Sequence, residues 1–537
     1  MNDQSTSAGE PPKPEPLATW TPQEKWVWEQ VSSANRADFN QTPGYGGNLD
    51  PRTPLGWMPS RRLRQEFLEA ILLREPYRSA VTRKGVCIEG AWFDEPLDLM
   101  QATISFDLFL DHCRFEDAVF MANVKTAGLL SFQGSKFAGK LNLNGAQIET
   151  DLFMRNKAEF ADVDLLSSKV GGCLDMSSSK FAGELNMNSL RVKGMLAMCS
   201  GAEFVQVNLV GGQVARDVDM HGARFKGVLS MNGLNAEQID LSESILEEEV
   251  NLDSCHVDSH VFIRSATFSN SAPLILDFAS IGANLDFSGS TLASVTLIGA
   301  NIRRSLVLGQ TDRGDQTPHA VLWESGAKLI LSNASVGALQ DIENAWPNEL
   351  DLKDFTYGYL GGLGTDRTTN MAMRDVPWLT GWLAKQKTFS PSPYVQLASA
   401  LANAGYREKA NEILYAGRER ELMEPGLSLR SKLWLSLMKI FIGYGYRLHY
   451  SLYWILIFVV LGMTVIEVSG QGFAGGFWDD FFFSVDMLLP IIDLDNRFSE
   501  FSTCGWAKYY FYFHKTMGYV LASFIIAGLS GLTKHTK

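Results

Sequence analysis

The 537-residue chain has few cysteines, and none are spaced as a pair that would bind zinc or form a redox dithiol. Its six cysteines lie far apart without a C-x-x-C motif, so we expect neither a metal site nor a disulfide framework. The first twenty residues also lack the apolar stretch of a secretory signal peptide. These absences predict that the N-terminal part of the chain occupies a reducing cytoplasm.

Positive charge is also scarce. The chain has 47 Lys and Arg against 60 Asp and Glu, a formal net charge of −13. This balance argues against nucleic acid as a partner, because phosphate binding requires clustered basic side chains. The length argues against a single domain, since one hydrophobic core rarely exceeds roughly 250–300 residues.

Catalytic and cofactor motifs are missing as well. A G-x-G-x-x-G match at residues 470–475 follows an apolar helix instead of a strand, so it fails the context of a dinucleotide site. P-loop, H-E-x-x-H and G-x-S-x-G motifs do not occur. We therefore predict no catalytic residue, no cofactor and no metal ligand.

The middle of the chain contains a repeat. Large apolar residues recur about every 11 positions, with Phe alternating with a β-branched residue, and a small residue often stands two places before the large one. The period is therefore about 22 residues, two half-units per coil, which is typical of a narrow β-solenoid. The series runs Phe137, Ile148, Phe160, Val170, Phe181, Val192, Phe204, Val214 and Phe225.

The half-units FAGKLNLNGAQI and FAGELNMNSLRV resemble the pentapeptide-repeat family, whose A-[DN]-L-x-x unit also places a small residue two before a large one. The resemblance covers about residues 86–312 and implies a right-handed quadrilateral β-solenoid of about ten coils, roughly 45–50 Å long. Because half-units of 10 to 12 residues exceed two pentapeptides, some corners must hold extra residues. RRLRQEFLEAILL at residues 61–73 has helical apolar spacing and predicts a cap over the first coil.

The solenoid segment carries the whole net charge, because residues 86–312 contain 29 acidic and 16 basic side chains. One interpretation is a solvated surface that keeps the repeat soluble. The other is an acidic surface that imitates DNA, which the resemblance implies for some soluble members of the family. The apolar C-terminal segments favour the first interpretation.

The C-terminal quarter has the composition of a membrane module. SLYWILIFVVLGMTVIEV at residues 451–468 predicts a transmembrane helix, and the segment at residues 517–532 predicts a second one. Basic residues precede the first span and follow the second, whereas residues 467–507 hold seven acids and one Arg. The positive-inside rule therefore predicts both termini in the cytoplasm of a bacterial inner-membrane protein.

Between the spans, an apolar stretch too short to cross a bilayer ends at Pro490 and is followed by acids. The order of span, half-helix, acidic loop and span resembles the pore module of two-span ion channels, over about residues 450–534. The resemblance implies an ion pathway at Asp486, Pro490, Asp493 and Asp495. An alternative of equal weight is an exposed loop with an amphipathic helix that lies flat at the interface. Candidate vestibule acids are Asp479, Asp480 and Glu500, and the candidate coupling hinge is Gly443, Tyr444 and Gly445.

The expected fold is mainly β, a right-handed solenoid followed by an α-helical connector and two transmembrane helices with a re-entrant half-helix. The expected segments are a disordered tail (1–20), a helical cap (21–85), the solenoid (86–312), an irregular junction (313–390), a helical connector with an interfacial helix (391–449), and the membrane module (450–537, re-entrant loop about 477–495).

For function, we expect a membrane-anchored cytoplasmic solenoid whose spans contact lipid and oligomerise with further copies of the chain as a cation-conducting pore. The alternative is a membrane-tethered scaffold whose acidic solenoid docks a cytoplasmic protein. Proteins that combine such coils with C-terminal spans are often named membrane-associated oxidoreductases, but no residue of this chain supports a redox cofactor.

Overall fold

The computed structural model describes residues 13–269, 272–311, 318–361, 370–489 and 494–529. The chain divides into two compact units, residues 1–373 and 374–537. Of the predicted tail over residues 1–20, the first twelve residues lie outside the described part.

The N-terminal unit begins with a helical cap. Helix α1 (Pro22–Ser32) starts at Thr21, which forms a capping box with Glu24. Helices α2 (Gln65–Leu73) and α3 (Tyr77–Ala80) follow a 3₁₀ turn at Pro59–Arg61. The predicted cap helix at residues 61–73 is thus present from Gln65 onward.

A parallel β-solenoid of about 12 turns follows, over residues 86–360. Most strands have only two residues, because each side of a coil accommodates one inward and one outward side chain before the chain turns. Paired residues in successive coils are about 22 positions apart, as in Gln147 with Lys169 and Lys169 with Arg191. The predicted period is therefore confirmed.

The strands form two large parallel sheets. The first sheet contains Ala37–Asp38, Val86–Glu89, Thr103–Ile104, Leu108–Asp111, Lys125–Thr126, Leu130–Ser131, Gln147–Ile148, Leu152–Phe153, Lys169–Val170, Leu174–Asp175, Arg191–Val192, Leu196–Ala197, Gln213–Val214, Asp217–Asp219, Asn235–Ala236, Gln238–Asp240, His256–Val257, Val261–Phe262, Ser280–Ile281, Leu285–Asp286, Asn301–Val307, Ser335–Gln340 and Thr356–Leu360. The second sheet contains Trp92–Phe93, Leu97–Asp98, Arg114–Phe115, Val119–Phe120, Lys136–Phe137, Leu141–Asn142, Glu159–Phe160, Val163–Asp164, Lys180–Asn186, Glu203–Asn208, Arg224–Phe225, Leu229–Ser230, Ile245–Leu246, Val250–Asn251, Thr267–Phe268, Leu274–Ile275, Thr291–Leu292, Val295–Thr296, Leu322–Trp323, Lys328–Ile330 and Glu349–Asp351.

The core is a set of stacked columns of apolar side chains. Seven phenylalanines from Phe93 to Phe225 stack face to face on successive coils, with ring centroids 4.3–5.2 Å apart. Half-coils turn at residues in the left-handed conformation, such as Asn123 (φ 56°) and Gly145 (φ 67°), which recur every 11 residues over much of the solenoid. These turns accommodate the residues beyond two pentapeptides.

The solenoid extends past residue 312, where the sequence pattern predicts its end. A hairpin of Gly309–Thr311 with Pro318–Ala320 lengthens one coil, so Asn301 pairs with Ser335, 34 positions later. Because this insertion breaks the 22-residue period, the pattern is lost in the sequence although the strands continue to stack up to Leu360.

The C-terminal unit is helical. Its helices are α4 (Val376–Ala384), α5 (Ser392–Asn403), α6 (Arg407–Leu422), α7 (Leu429–Ile442), α8 (His449–Val468), α9 (Phe477–Leu488), α10 (Asn496–Glu500) and α11 (Gly505–Leu529), with 3₁₀ turns at Met371–Met373, before this unit, and Gly443–Gly445. Among the described residues, one helix, α8, is long and apolar enough to cross a membrane by length and composition. The second predicted span falls within α11 as far as Leu529, and residues 530–532 lie outside the described part.

Candidate functional site in the C-terminal helices

The short helix α9 packs against both long helices, α8 and α11. Near its C-terminal end, Leu488 is buried with Phe458 and Val459 of α8 and Leu521 of α11. In its middle, Phe483 is buried between Ile466 and Phe511. Helix α9 is therefore fixed along its length by apolar contacts on two sides.

Small residues bring the three backbones close together. A Cβ added to Gly462 would lie 2.1 Å from Ser484 Oγ, and one added to Gly518 would lie 1.6 Å from the carbonyl oxygen of Leu488. Such close helix contacts are typical of helices that pack through small residues. The two glycines thus determine how near α8 and α11 approach α9.

Buried polar groups connect the same helices. Ser484 Oγ donates a hydrogen bond to the Val459 carbonyl at 2.9 Å. His514 Nε2 donates to the Ser484 carbonyl at 3.1 Å, and the Tyr510 hydroxyl lies 3.2 Å from His514 Nδ1. Both Ser484 and His514 are fully buried, so these bonds specify one arrangement of α8, α9 and α11.

The predicted acids occupy both ends of α9. Asp479 and Asp480 lie in its first turn, where carboxylates interact favourably with the helix dipole. Asp480 is buried and accepts a hydrogen bond from the Phe473 amide at 3.0 Å. Near the other end, Asp486 accepts one from the Leu494 amide at 2.7 Å. This bond connects the backbone of Leu494 to α9.

The remaining acids of the predicted ion pathway and vestibule have different positions. Asp495 caps α10 through the Arg497 amide and forms an ion pair with the Arg497 side chain at 2.7 Å. Glu500 is the last residue of α10. Pro490 and Asp493 lie outside the described residues. Arg497 thus neutralises Asp495 within one chain.

The exposed faces of the two long helices differ in chemistry. Helix α8 exposes apolar side chains in consecutive turns, including Leu452, Leu456 and Val460. Helix α11 also exposes apolar side chains, among them Phe513 and Ile526, but beside them lies a polar stripe at helical spacing, which we call the α11 stripe. Its members are Lys508, Tyr512, Lys515, Tyr519 and Ser523.

The predicted coupling hinge is the 3₁₀ turn Gly443–Gly445 between α7 and α8, in which Tyr444 has a positive φ of 56°. The buried Tyr444 hydroxyl donates to Glu419 of α6 at 3.0 Å, and Lys439 of α7 forms an ion pair with the same carboxylate at 2.7 Å. Burial and the nearby carboxylate raise the pKa of Tyr444. Glu419 thus connects α6 both to α7 and to the turn itself.

A second contact connects α6 to the start of α8. Arg447 forms an ion pair with Glu412 at 2.9 Å and lies over the ring of Tyr415 at 4.2 Å. Its guanidinium also donates to the Tyr450 hydroxyl at 3.1 Å. The first turn of α8 is therefore held by a helix that precedes both long helices.

Sequence reasoning did not identify Ser484, His514 and the two contact glycines. A small-residue pattern on α8 and α11 was the available signal, but partners on three different helices have no fixed spacing in the sequence. Over the described parts of the chain, no three His, Cys, Asp or Glu side chains group as a metal site. Comparison of the chain with protein-family models, curated proteins and solved structures gives no significant match.

Proposed function

We propose that the C-terminal unit is a membrane module, formed by α8, α11 and a re-entrant α9, which assembles in several copies as a cation-conducting pore. The solenoid and both termini are then in the cytoplasm. The observation that carries the proposal is the placement of α9, a short helix fixed between two long ones by Ser484 and His514.

Helix lengths support this arrangement. At 1.5 Å per residue, the 20 residues of α8 and the 25 residues of α11 measure about 30 and 37 Å, enough to cross the ~30 Å hydrocarbon layer. The 12 residues of α9 measure only about 18 Å. A helix of that length between two spans enters the membrane without crossing it, and the backbone after it is tolerated where it lines water.

The contrast between the exposed faces favours a pore over a simple anchor. The apolar face of α8 suits lipid. The α11 stripe does not, because Lys515 lies near the middle of α11, where a lysine in hydrocarbon costs about 2.5–3.5 kcal/mol on insertion scales. Contact with water or with another copy removes that cost, and two long helices per chain cannot enclose a channel alone. Several copies with their α11 stripes turned inward would enclose a channel and would also keep the lysines away from lipid.

Acidic groups near the end of α9 provide the cation preference. Rings of carboxylates favour cations in channels, and Asp486 of each copy would contribute to one. The positive charge of Lys515, on the α11 stripe, would repel cations near the end of α9. Lys515 lies one helical turn from Gly518, and Gly518 contacts Leu488 at that end of α9. The proposal therefore assigns opposite effects to these two side chains.

The hinge would couple the connector helices to the pore. Movement of α6 changes the positions of Glu419 and Glu412, and through them the turn at Tyr444 and the first turn of α8. We expect Tyr444→Phe to change the open probability and to leave the unitary conductance unaltered.

Single-channel recording from the purified full-length chain in planar bilayers tests the proposal. We expect unitary currents whose reversal potential follows the cation gradient. Asp486→Asn should lower the cation conductance and Lys515→Gln should raise it, since ring charges set the local cation concentration. Glu408→Gln, an exposed acid on α6, is the control and should have no effect.

Two results would contradict the proposal. A chain that is monomeric in detergent by light scattering has too few long helices for a pore. An oligomeric chain without any current would leave α8 and α11 as an anchor. A current that follows the anion gradient would contradict the cation preference alone.

A further inference from the structure

One side of the solenoid carries basic side chains, Lys169 and Arg191 among them, for which the described residues provide no acidic partner within ion-pair distance. The outward residues of the first sheet form a column on successive coils, which we call the cationic column: Lys125, Gln147, Lys169, Arg191, Gln213, Asn235 and His256. Lys169 and Arg191 are direct partners on neighbouring strands, and the backbones of these strands lie about 4.8 Å apart. Like charges opposite each other in a sheet are destabilising.

In the second sheet, most of the like charges are not adjacent. Its outward column reads Arg114, Lys136, Glu159, Lys180, Glu203 and Arg224, so from Lys136 onward the charges alternate from coil to coil. Lys136 forms an ion pair with Glu159 at 2.9 Å. Opposite charges on successive coils thus neutralise one another in the second sheet, whereas Lys169 and Arg191 in the first sheet are adjacent like charges.

The unpaired cations line a groove. Lys169, Arg191 and Lys193 border a cavity of about 670 Å³ that runs over six coils, from Gln147 to His256. In the described structure, none of these three cations has an acidic partner within ion-pair distance, and all three are exposed. We call this cavity the cationic groove.

Three acids also line the cationic groove, towards its two ends. Glu237 pairs with Arg216 at 3.5 Å, and Asp258 lies 3.3 Å from His256, which is charged only when it is protonated. Glu149 lies at the opposite end. The middle of the groove thus presents a net positive surface on a segment that is otherwise strongly acidic.

We propose that the cationic groove binds an extended acidic peptide segment of a partner protein. Six coils span about 24 Å, which matches roughly seven residues of extended chain. The side-chain amides of Gln147, Gln213 and Asn235 offer hydrogen bonds to peptide groups on both sides of the cations. Duplex nucleic acid fits poorly, because only three cations would face a ligand that carries one phosphate charge per ~1.7 Å of helix axis.

Binding of a fluorescent octaglutamate peptide to the purified full-length chain, followed by anisotropy at low salt, tests this inference. We expect saturable binding that weakens as salt is raised. The triple variant K169Q/R191Q/K193Q should weaken it at least tenfold. The matched triple K140Q/K157Q/K180Q removes the same charge outside the groove lining and should change it less than twofold.

Thermal unfolding shows whether the groove variant folds. Removing the repulsion between Lys169 and Arg191 should leave the melting temperature equal to or above that of the parent. Equal loss of binding in both triple variants, or none in either, would overturn the proposal. Preferential binding of inorganic triphosphate or of single-stranded DNA would also overturn it and assign the groove to a phosphate ligand. The pore proposal is independent of all these outcomes.

Discussion

Replacing Gly518 with alanine is expected to separate α9 from α11. The added Cβ would lie 1.6 Å from the Leu488 carbonyl oxygen and 2.7 Å from its carbonyl carbon, both of them backbone atoms. A side chain could rotate away, but here the two helices must move apart by at least about 1 Å. Overpacking of a buried contact costs about 1–3 kcal/mol and sometimes more. We place the net cost of this substitution at about 3 kcal/mol after the helix preference for alanine, up to about 1 kcal/mol, is subtracted.

That free energy corresponds to a measurable shift. For a unit of 150–250 residues, 1 kcal/mol changes the melting temperature by about 2–4 °C, so Gly518→Ala should lower the transition of the C-terminal unit by roughly 6–12 °C. Near-ultraviolet circular dichroism of the detergent-solubilised chain measures it. Gly381→Ala is the matched control, because its Cβ meets no atom within 4 Å and alanine favours the helix by up to about 1 kcal/mol.

The two glycine substitutions should behave differently. If Gly518→Ala melts within about 2 °C of the parent, the backbones of α9 and α11 are not in contact and the placement of α9 is wrong. If Gly381→Ala is destabilised by the same amount, the effect comes from glycine replacement in general and not from the contact with Leu488.

Two further predictions concern the N-terminal unit. Phe160→Ala removes a fully buried ring of the phenylalanine column and should cost about 3–5 kcal/mol by urea denaturation, whereas Phe278→Ala, whose residue is 64% exposed, should have little effect. Burial alone would raise the pKa of the Glu24 carboxyl, but hydrogen bonds from Arg64 and from the Thr21 amide outweigh it and hold the pKa below its usual 4.5. Because the pKa is lower in the folded state, the carboxylate stabilises the cap above pH 4.5, and this contribution is lost as the pH falls through the folded value. Urea midpoints should therefore drop as the pH is lowered below 4.5 in the parent, and much less in Glu24→Gln; an equal drop in both would contradict this role.

The solenoid was predictable because its determinant is local and periodic. Phe137, Ile148 and Phe160 recur at the half-coil length, and each must be buried, so the apolar pattern specifies coil size and strand positions. The end of the stack was not predictable, because the hairpin after Val307 changes the length of one coil without changing the pairing on either side.

The outward columns were also missed. Lys169 and Arg191 are 22 residues apart, and their adjacency becomes visible only when the coil register is known. In the C-terminal unit, the sequence indicated a short helix and its flanking acids, and α9 has those residues. The contacts of Ser484 and His514 join three helices at irregular separations, so no periodic signal precedes them.

The hairpin of Gly309–Thr311 and Pro318–Ala320 shows that the number of residues in a coil does not determine the height that the coil adds to the stack. The coil that contains it has 34 residues instead of about 22, yet it adds one layer of about 4.8 Å like any other. Interstrand hydrogen bonds hold the layers in register whatever path the chain takes at a corner. A fold of this kind can therefore acquire new surface by growth at its corners while its core remains unchanged, which makes the corners the places where related chains would diverge in length.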